Sequence, residues 1–305
     1  MTAVISGSPK NEAEVVEAAP AKINLALHVT GQRADGYHLL DSIVTFAEDA
    51  CDRLTFSPAE QDSLALGGRF GALLSIDAAG RDGNLVLKAR DTLRSAVEQQ
   101  GQSAPSVAIM LEKNLPVASG IGGGSADAAA TLRGLMRVWN AVLPAGTLSS
   151  IALRLGADVP MCLAGQPLRA RGIGEDIEML PTMPALSMVL ANPLKGVSTP
   201  EIFRRLTQKD NPPAGASPDG SDIGEWLAFL KTARNDLEPP ARAILPEIGM
   251  ISGMLEESGA LFVRMSGSGA TCFGLYGDHA AAETAAAKLS RERPDWYFQA
   301  TKTTV

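Results

Sequence analysis

Residues 115–130 read Leu-Pro-Val-Ala-Ser-Gly-Ile-Gly-Gly-Gly-Ser-Ala-Asp-Ala-Ala-Ala. Glycine permits positive φ and lets another group approach the backbone amides closely. Downstream, apolar residues recur at the spacing of one helix face: Ala128, Leu132, Leu135, Met136 and Trp139. The glycines are therefore predicted to open an amphipathic helix, and the free amides and dipole at a helix N-terminus form a ready site for phosphate.

Two familiar glycine motifs do not fit this stretch. The chain has no Gly-Lys-Ser/Thr sequence, which excludes a Walker-type phosphate loop. The dinucleotide-binding pattern fails because Ser125 stands where glycine or alanine belongs. A glycine run alone is equally typical of a flexible turn before an ordinary helix, so the cations and base of a phosphate site must come from elsewhere in the chain.

Composition indicates an ordinary globular protein. The 305 residues suggest about two domains, with 45% hydrophobic and 20% charged residues. A net charge of −7 argues against broad nucleic-acid binding but permits a local basic pocket for an anionic substrate. We therefore expect a small-molecule substrate and no nucleic-acid partner.

The compartment is also suggested by the sequence. Cys51, Cys162 and Cys272 are far apart, which is typical of buried thiols in a reducing compartment. No run approaches the ~18 apolar residues of a membrane span, and residues 1–19 lack the pattern of a secretory signal. We expect a cytoplasmic protein with no membrane partner, and a flexible acidic extension over residues 1–18.

Several polar residues stand where a structural and a functional interpretation compete. Residues 22–29 alternate as a strand whose polar face carries Lys22, Asn24 and His28, and such a face is commonly just solvated. Tyr37 and His38 follow an Asp-Gly turn, where they can stack on and read a planar base or simply pack under the turn and face solvent.

Two more residues carry the same ambiguity. Asn84 stands at the N-cap of a helix predicted over residues 85–98. Pro160 disfavours helix at Val159, which predicts a turn at Asp158, where a carboxylate can serve as a base or only bond nearby amides.

The remaining elements follow from the same patterns. Strands are predicted at residues 42–46 and 52–56 as a pair, at 106–111, 187–191, 262–265 and 271–276, with an edge strand at 297–302. Helices are predicted at 147–155, 248–257 and 279–292, with shorter ones beginning at Thr199 and near Pro239. Residues 210–222 are rich in Pro, Gly, Ser and Asp and are expected to form a mobile surface loop.

Three stretches in this order resemble the motifs of the GHMP kinase superfamily. They are residues 20–25 (Pro-Ala-Lys-Ile-Asn-Leu), residues 116–129 within the glycine stretch, and residues 265–271 (Met-Ser-Gly-Ser-Gly-Ala-Thr). Residues 31–38, 156–160 and 199–203 resemble the branch that acts on a diphosphocytidyl-methylerythritol. The resemblance implies an α+β, two-domain fold with the active site in the cleft between an ATP-binding domain (19–168) and a substrate-binding domain (169–305).

The resemblance further implies transfer of the ATP γ-phosphoryl group to the 2-hydroxyl of 4-diphosphocytidyl-2-C-methyl-D-erythritol, in non-mevalonate isoprenoid precursor synthesis, with Mg²⁺ accompanying ATP. Asp158 would accept the hydroxyl proton beside Lys22, which would favour the ionised carboxylate or stabilise the attacking oxygen. ATP would contact Asn84, Pro116, Gly120, Gly122, Gly123, Gly124 and Ser125. The substrate would contact Asn24, Tyr37, His38, Thr199, Phe203, Gly267, Ser268 and Gly269, with the cytosine between Tyr37 and Phe203.

One departure from the family pattern concerns the metal. The family commonly has a second serine where this chain has Ala126, which leaves Ser125 as the hydroxyl of the loop and no protein metal ligand implied. Two other functions stay open. The first is a GHMP kinase for homoserine or mevalonate, which would have no need for residues that clamp a cytosine. The second is a catalytically inactive nucleotide sensor, and the presence of Lys22 and Asp158 argues against it.

Overall fold

The computed structural model describes residues 14–74, 84–117 and 119–305. Its first sheet is built on a long antiparallel hairpin, β1 and β2, and has the order β3-β4-β2-β5-β6 with β1 also paired to β2. The β3–β4 pair is parallel, and the other pairs are antiparallel. The strands of this sheet are β1 (Val15–Gln32), β2 (His38–Pro58), β3 (Ser63–Gly67), β4 (Val107–Glu112), β5 (Leu168–Gly172) and β6 (Asp176–Met179).

A second sheet comes from the C-terminal part of the chain. Its order is β10-β7-β9-β8 and its neighbours are antiparallel, with β10 at an edge as predicted. The strands are β7 (Ser187–Asn192), β8 (Phe262–Met265), β9 (Cys272–Tyr276) and β10 (Tyr297–Lys302).

Helices cover both sheets. In the described residues they are α1 (Leu85–Gln99), α2 (Gly123–Val138), α3 (Thr147–Leu155), α4 (Val159–Ala164), α5 (Thr199–Arg205), α6 (Ile223–Thr232), α7 (Glu238–Ile244), α8 (Glu247–Glu257) and α9 (His279–Glu292). No helix in the described ranges combines the length and apolar character needed to cross a bilayer.

The glycine stretch opens α2, as predicted, and this helix lies flat against the first sheet. Ala126, Ala128 and Ala129 are buried in the core that α1 and α2 form with the first sheet. A Cβ on Gly134 would lie 2.3 Å from the Phe56 ring on β2. Small residues on this face therefore let the helix approach the sheet closely, which fixes the position of its N-terminus.

Two local predictions are wrong for identifiable reasons. The segments 42–46 and 52–56 belong to one strand, β2, because residues 47–50 bulge from the β1 ladder and Ala47 pairs with Thr303 instead. The turn predicted at Asp158 is confirmed, but helix α4 begins directly after it at Val159, since Pro160 falls in its first turn, where the missing N–H costs nothing. Helix α6, capped by the Asp222 side chain, was not predicted.

The predicted domain limits can be compared with the sheets. Residues 15–18, expected in the flexible extension, pair with β2 as the start of β1, and residues 1–13 lie outside the described chain. The limit expected at 168/169 falls inside the first sheet, because β5 and β6 pair with that sheet as far as Met179.

The 210–222 loop, predicted as a mobile surface loop, is bonded to the first sheet at several points. Arg169 donates to the carbonyl oxygens of Ala214 (2.6 Å) and Gly215 (3.1 Å), and the carboxylate of Asp41 accepts from the Ala214 N–H. Buried Arg169 and Asp41 also pair with each other. This loop is therefore attached to β2 and β5 of the first sheet.

Candidate active site

Lys22 and Asp158 are brought together from distant parts of the chain. Lys22 lies on β1 with 4% of its surface exposed, and its Nζ is 3.2 Å from Oδ1 of Asp158. Asp158 stands just before α4 and makes no capping bond, so its carboxylate is not used in a local turn. Lys22 of this ion pair is thus buried and fixed, whereas the carboxylate of Asp158 faces open space.

The phosphate loop lies against the same lysine. Gly122 is the N-cap of α2 at φ 64°, and a Cβ there would be 3.2 Å from Cβ and Cε of Lys22. The backbone N–H of Lys22 also donates to the Ile121 carbonyl at 2.9 Å. Glycine is required at position 122 both by the left-handed backbone and by the lysine stem. The positive end of α2 therefore points to the same space as the Lys22 ammonium.

A cavity of about 410 Å³, here called the donor cavity, lies in front of this loop. All residues that the sequence assigned to ATP line it: Asn84, Pro116, Gly120, Gly122, Gly123, Gly124 and Ser125. The Asn84 side chain also accepts from Val86 N–H at 2.9 Å, so its predicted role as N-cap of α1 is confirmed.

A buried charge cluster supports the donor cavity from behind. The Nζ of Lys113 donates to Asp52 (2.5 Å) and Asp127 (2.6 Å), and all three residues are buried. The second oxygen of Asp52 accepts from the N–H groups of Asn114 and Leu115, the residues that lead into the glycine stretch. Burial raises the pKa of Asp127 to about 7; Lys113 opposes this effect and Asp52 adds to it. The cluster ties β2, β4 and α2 together at the base of the loop.

A second, larger cavity of about 730 Å³, the acceptor cavity, opens beside the first. Tyr37, His38, Phe203 and Asp158 line it, and Ser125 and Thr199 line both cavities. The rings of His38 and Phe203 are stacked with centroids 4.5 Å apart, whereas Tyr37 is 59% exposed. Burial lowers the pKa of His38, and the charge of Lys209 acts in the same direction. A neutral imidazole, whose Nε2 is buried without a hydrogen-bond partner among the described residues, thus lies beside the aromatic surface.

A small cavity of about 150 Å³, the junction cavity, includes the Lys22–Asp158 ion pair. Lys22, Asn24, Asp158, Gly267 and Ser268 line it. The hydroxyls of Ser268 and Thr199 lie 2.7 Å apart, which joins the 265–271 turn to α5. Gly269, expected on the substrate side, lines the donor cavity instead.

Comparison with known proteins identifies the family. Residues 84–166 match the GHMP kinases N terminal domain and residues 216–295 the GHMP kinases C terminal domain. The 4-diphosphocytidyl-2-C-methyl-D-erythritol kinase of Rhizobium leguminosarum bv. trifolii is 64% identical over 289 residues, which cover 95% of each chain. The enzyme of the same name from Agrobacterium fabrum is 62% identical over 294 residues, 95% of this chain and 96% of that one. The chain belongs to the 4-diphosphocytidyl-2-C-methyl-D-erythritol kinase family.

Solved structures agree with this assignment. A crystal structure of 4-(cytidine 5'-diphospho)-2C-methyl-D-erythritol kinase matches with a TM-score of 0.75 and 32% identity, over 95% of this chain and 99% of that chain. Homoserine kinase from Cytophaga hutchinsonii matches with a TM-score of 0.65 at 17% identity, over 99% and 98% of the chains, and shares the fold alone. The predicted α+β, two-domain GHMP kinase fold is confirmed, and the chain is an ATP-dependent kinase of this class.

Some residues of the kinase site were not found from its sequence. Ser42 and Ser266 bond to Asn24, and Lys113 holds Asp52 and Asp127. Ser42 lies in an apolar strand pattern that carries no signal for function, and Ser266 lies within the 265–271 motif but was not singled out there. An aspartate within the alanine run of α2 was the available signal for the charge cluster, because an acid on a buried helix face needs a partner.

Proposed function

We propose that this kinase transfers the γ-phosphoryl group of ATP to the 2-hydroxyl of 4-diphosphocytidyl-2-C-methyl-D-erythritol, giving the 2-phosphate and ADP. The observation that carries the proposal is the Lys22–Asp158 pair, which lies at 3.2 Å between a donor and an acceptor cavity. This reaction belongs to non-mevalonate isoprenoid precursor synthesis.

Asp158 acts as the base in this mechanism. Its carboxylate accepts the proton of the 2-hydroxyl as the new O–P bond forms and the bond from the γ-phosphorus to the ADP oxygen breaks. General-base catalysis of this kind contributes roughly 10²–10⁴-fold. The phosphoryl oxygens bear the developing charge, and the α2 N-terminal amides and the Lys22 ammonium stabilise it.

The acceptor is held at its two ends in this proposal. The cytosine stacks on Phe203 and Tyr37 and bonds to His38, while the methylerythritol end lies near Asn24, Gly267 and Ser268. Arg204 and Lys209 line the acceptor cavity and offer positive charge to the diphosphate that joins the two ends. A homoserine or mevalonate acceptor has no base to occupy the aromatic end.

Mg²⁺ accompanies ATP in this proposal. Among the described residues no group of three or more His, Cys, Asp or Glu side chains is placed to hold a metal ion. Mg²⁺ commonly binds through substrate phosphates and water with few protein ligands, so the hydroxyl of Ser125 beside the phosphate loop suits it. The ion would supply charge neutralisation on the transferring phosphates.

The remaining expectations complete the proposal. The part of the chain before β7 binds mainly ATP. The part from β7 onward contributes α5 and the 265–271 turn to the binding of the acceptor. The β1–β2 hairpin contributes to the binding of both substrates. We place the enzyme in the cytoplasm, with its two small-molecule substrates as partners and with no nucleic acid or membrane, because its net charge of −7 disfavours polyanions.

One assay tests the activity. The protein is incubated with ATP–Mg²⁺ and, separately, with diphosphocytidyl-methylerythritol, homoserine or mevalonate, and ADP release is followed. ADP release with the cytidyl acceptor alone is expected, with the new phosphate on the 2-oxygen by ³¹P NMR. Release with homoserine or mevalonate instead would contradict the acceptor assignment, and ATP binding without release from any acceptor would indicate an inactive sensor.

A further inference from the structure

A chain of buried hydrogen bonds leads away from the reacting pair to Ser42 on β2. Lys22 Nζ donates to Asn24 Oδ1 at 3.0 Å, and Asn24 Nδ2 donates to Ser42 Oγ at 2.8 Å. Ser42 Oγ in turn donates to the Ala26 carbonyl at 2.6 Å. Lys22, Asn24 and Ser42 are each 4% exposed or less. The chain therefore ends on a fixed backbone acceptor, and its three side chains are little exposed but line the junction cavity.

The direction of each bond in this chain is determined by its ends. A hydroxyl has one proton, and Ser42 gives it to the Ala26 carbonyl, so toward Asn24 it can only accept. The Asn24 atom that faces Ser42 must then be the amide nitrogen, and its oxygen must face Lys22, which is a donor only. With the amide reversed, two donors would face each other at Lys22, and the Asn24 amide oxygen and the Ala26 carbonyl would compete for the one hydroxyl proton of Ser42.

The backbone of β1 makes this arrangement possible. The pairing of β1 with β2 is irregular between Asn24 and Ala26, where Asn24 pairs with Val44 and Ala26 with Ile43. An irregularity of this kind re-aims side chains. Here it brings both the Asn24 amide and the Ala26 carbonyl within reach of the same hydroxyl. The Asn24 N–H is separately bonded to Ser266 Oγ at 3.0 Å, so the backbone under the amide is fixed as well.

We propose that Ser42 is a positioning residue of the phosphoryl transfer, which fixes the orientation of the Asn24 amide and through it holds the Lys22 ammonium against Asp158. Lys22 Nζ donates to Asn24 and lies 3.2 Å from Asp158 Oδ1 as an ion pair, so a further N–H is available to a phosphoryl oxygen in the junction cavity. The inference rests on the proposed function, since it assigns Ser42 a role in that reaction.

Replacing Ser42 tests the role. In Ser42→Ala, kcat is expected to fall about 10- to 100-fold, because small misplacements of catalytic groups have effects of this size, while KM for ATP changes less than about twofold. Ser42→Thr, which keeps the hydroxyl, should restore kcat.

Ser252→Ala is the matched control. Ser252 is equally buried, donates to a backbone carbonyl (Ile248, 2.9 Å) and accepts from a side chain (Arg242, 2.8 Å), but lies on α8 outside the cavities. It should lower thermal stability without changing kcat. If Ser42→Ala is too unstable, Ser42→Cys keeps the volume with a weak acceptor and should reproduce the kinetic loss.

Each other outcome overturns the inference. An unchanged kcat in Ser42→Ala, a rise in acceptor KM alone, or failure of folded Ser42→Thr to recover kcat would show that Ser42 does not act through Asn24 and Lys22. These comparisons require that the wild-type enzyme turns over the cytidyl acceptor. Absence of that wild-type turnover contradicts the proposed function itself, so the two failures are distinct.

Discussion

A Cβ atom on Gly120 would lie 2.6 Å from the carbonyl oxygen of Gly269. The phosphate loop and the 265–271 turn, which come from opposite halves of the chain, are therefore in direct backbone contact. The Thr271 N–H donates to the Ser119 carbonyl at 3.0 Å, and Ser266 Oγ donates to the Gly120 carbonyl at 3.3 Å. Donor and acceptor cavities are thus held in one fixed relation by two interlocked turns.

Gly120→Ala should separate these turns. Both Gly120 (φ 74°) and Gly101 (φ 71°) have left-handed backbones, but a Cβ on Gly101 meets nothing within 4 Å. Gly101→Ala should cost only the backbone strain, roughly 1–2 kcal/mol of unfolding free energy, with normal kcat/KM. Gly120→Ala should cost more and lower kcat/KM at least about 100-fold. Equal behaviour of the two variants in thermal melts and kinetics would refute the interlock.

Asp158→Asn should lose turnover and keep substrate binding. The amide cannot accept the hydroxyl proton, so kcat should fall about 10²–10⁴-fold, whereas calorimetric binding of the cytidyl acceptor should stay within a few-fold. If Lys22 and Asp158 act as a unit, Lys22→Met combined with Asp158→Asn should be little worse than the slower single variant. Near-normal turnover of Asp158→Asn would show that this aspartate is not the base.

Phe203→Ala should weaken acceptor binding selectively. Base stacking on an aromatic ring is worth about 1–3 kcal/mol, which corresponds to a rise in acceptor KM of roughly 5- to 150-fold with KM for ATP unchanged. Phe229→Ala is the control, because Phe229 packs edge-on to Trp226 on α6 with centroids 6.0 Å apart, away from the cavities. A parallel rise of both KM values in Phe203→Ala would indicate a general disturbance rather than a base contact.

The elements that follow local patterns were predictable from the sequence. Helices α2 and α9 carry clear apolar periodicity, and Asn84 caps α1 with a bond between near neighbours in the chain. The continuity of β2 was not predictable, because the partner of its bulge, Thr303, lies at the far end of the chain. When that partner is not known, the acidic segment between residues 46 and 52 has the sequence pattern of a turn.

In the candidate site, too, residues in local motifs were predictable and residues that depend on distant contacts were not. Lys22 and Asp158 were singled out as candidate site residues because each stands in a motif whose residue types suit the chemistry. Lys113, Asp52 and Asp127 were not located as a group, since burial of three charges is favourable only through their mutual contacts. Sequence periodicity reports which positions are apolar, and it contains no information on which distant charges compensate each other.

Acidification should destabilise the protein through His28. This buried residue on β1 accepts from the Arg234 N–H at Nε2 (2.9 Å), so its Nδ1–H donates to the Pro212 carbonyl (3.0 Å). Burial lowers the pKa of His28 below 6.5, and the positive charge of Arg234 lowers it further. The hydrogen bond to Pro212 and the negative charges of Asp236 and Asp41 oppose this shift. The unfolded chain binds the proton first as the pH falls, so the free energy of unfolding should decrease below about pH 6.5, by up to about 1.4 kcal/mol per pH unit.

His28→Gln isolates this contribution. The glutamine oxygen can still accept from Arg234 but does not titrate, so the variant should be less stable than wild type at pH 7.5 and lose less stability between pH 6.5 and 5. Urea unfolding of both proteins across this range measures the difference, and His38 is common to both and cancels. If the unfolding free energies of the two proteins change with pH in parallel, His28 does not cause the acid sensitivity. The 210–222 loop would then be held independently of the protonation of His28.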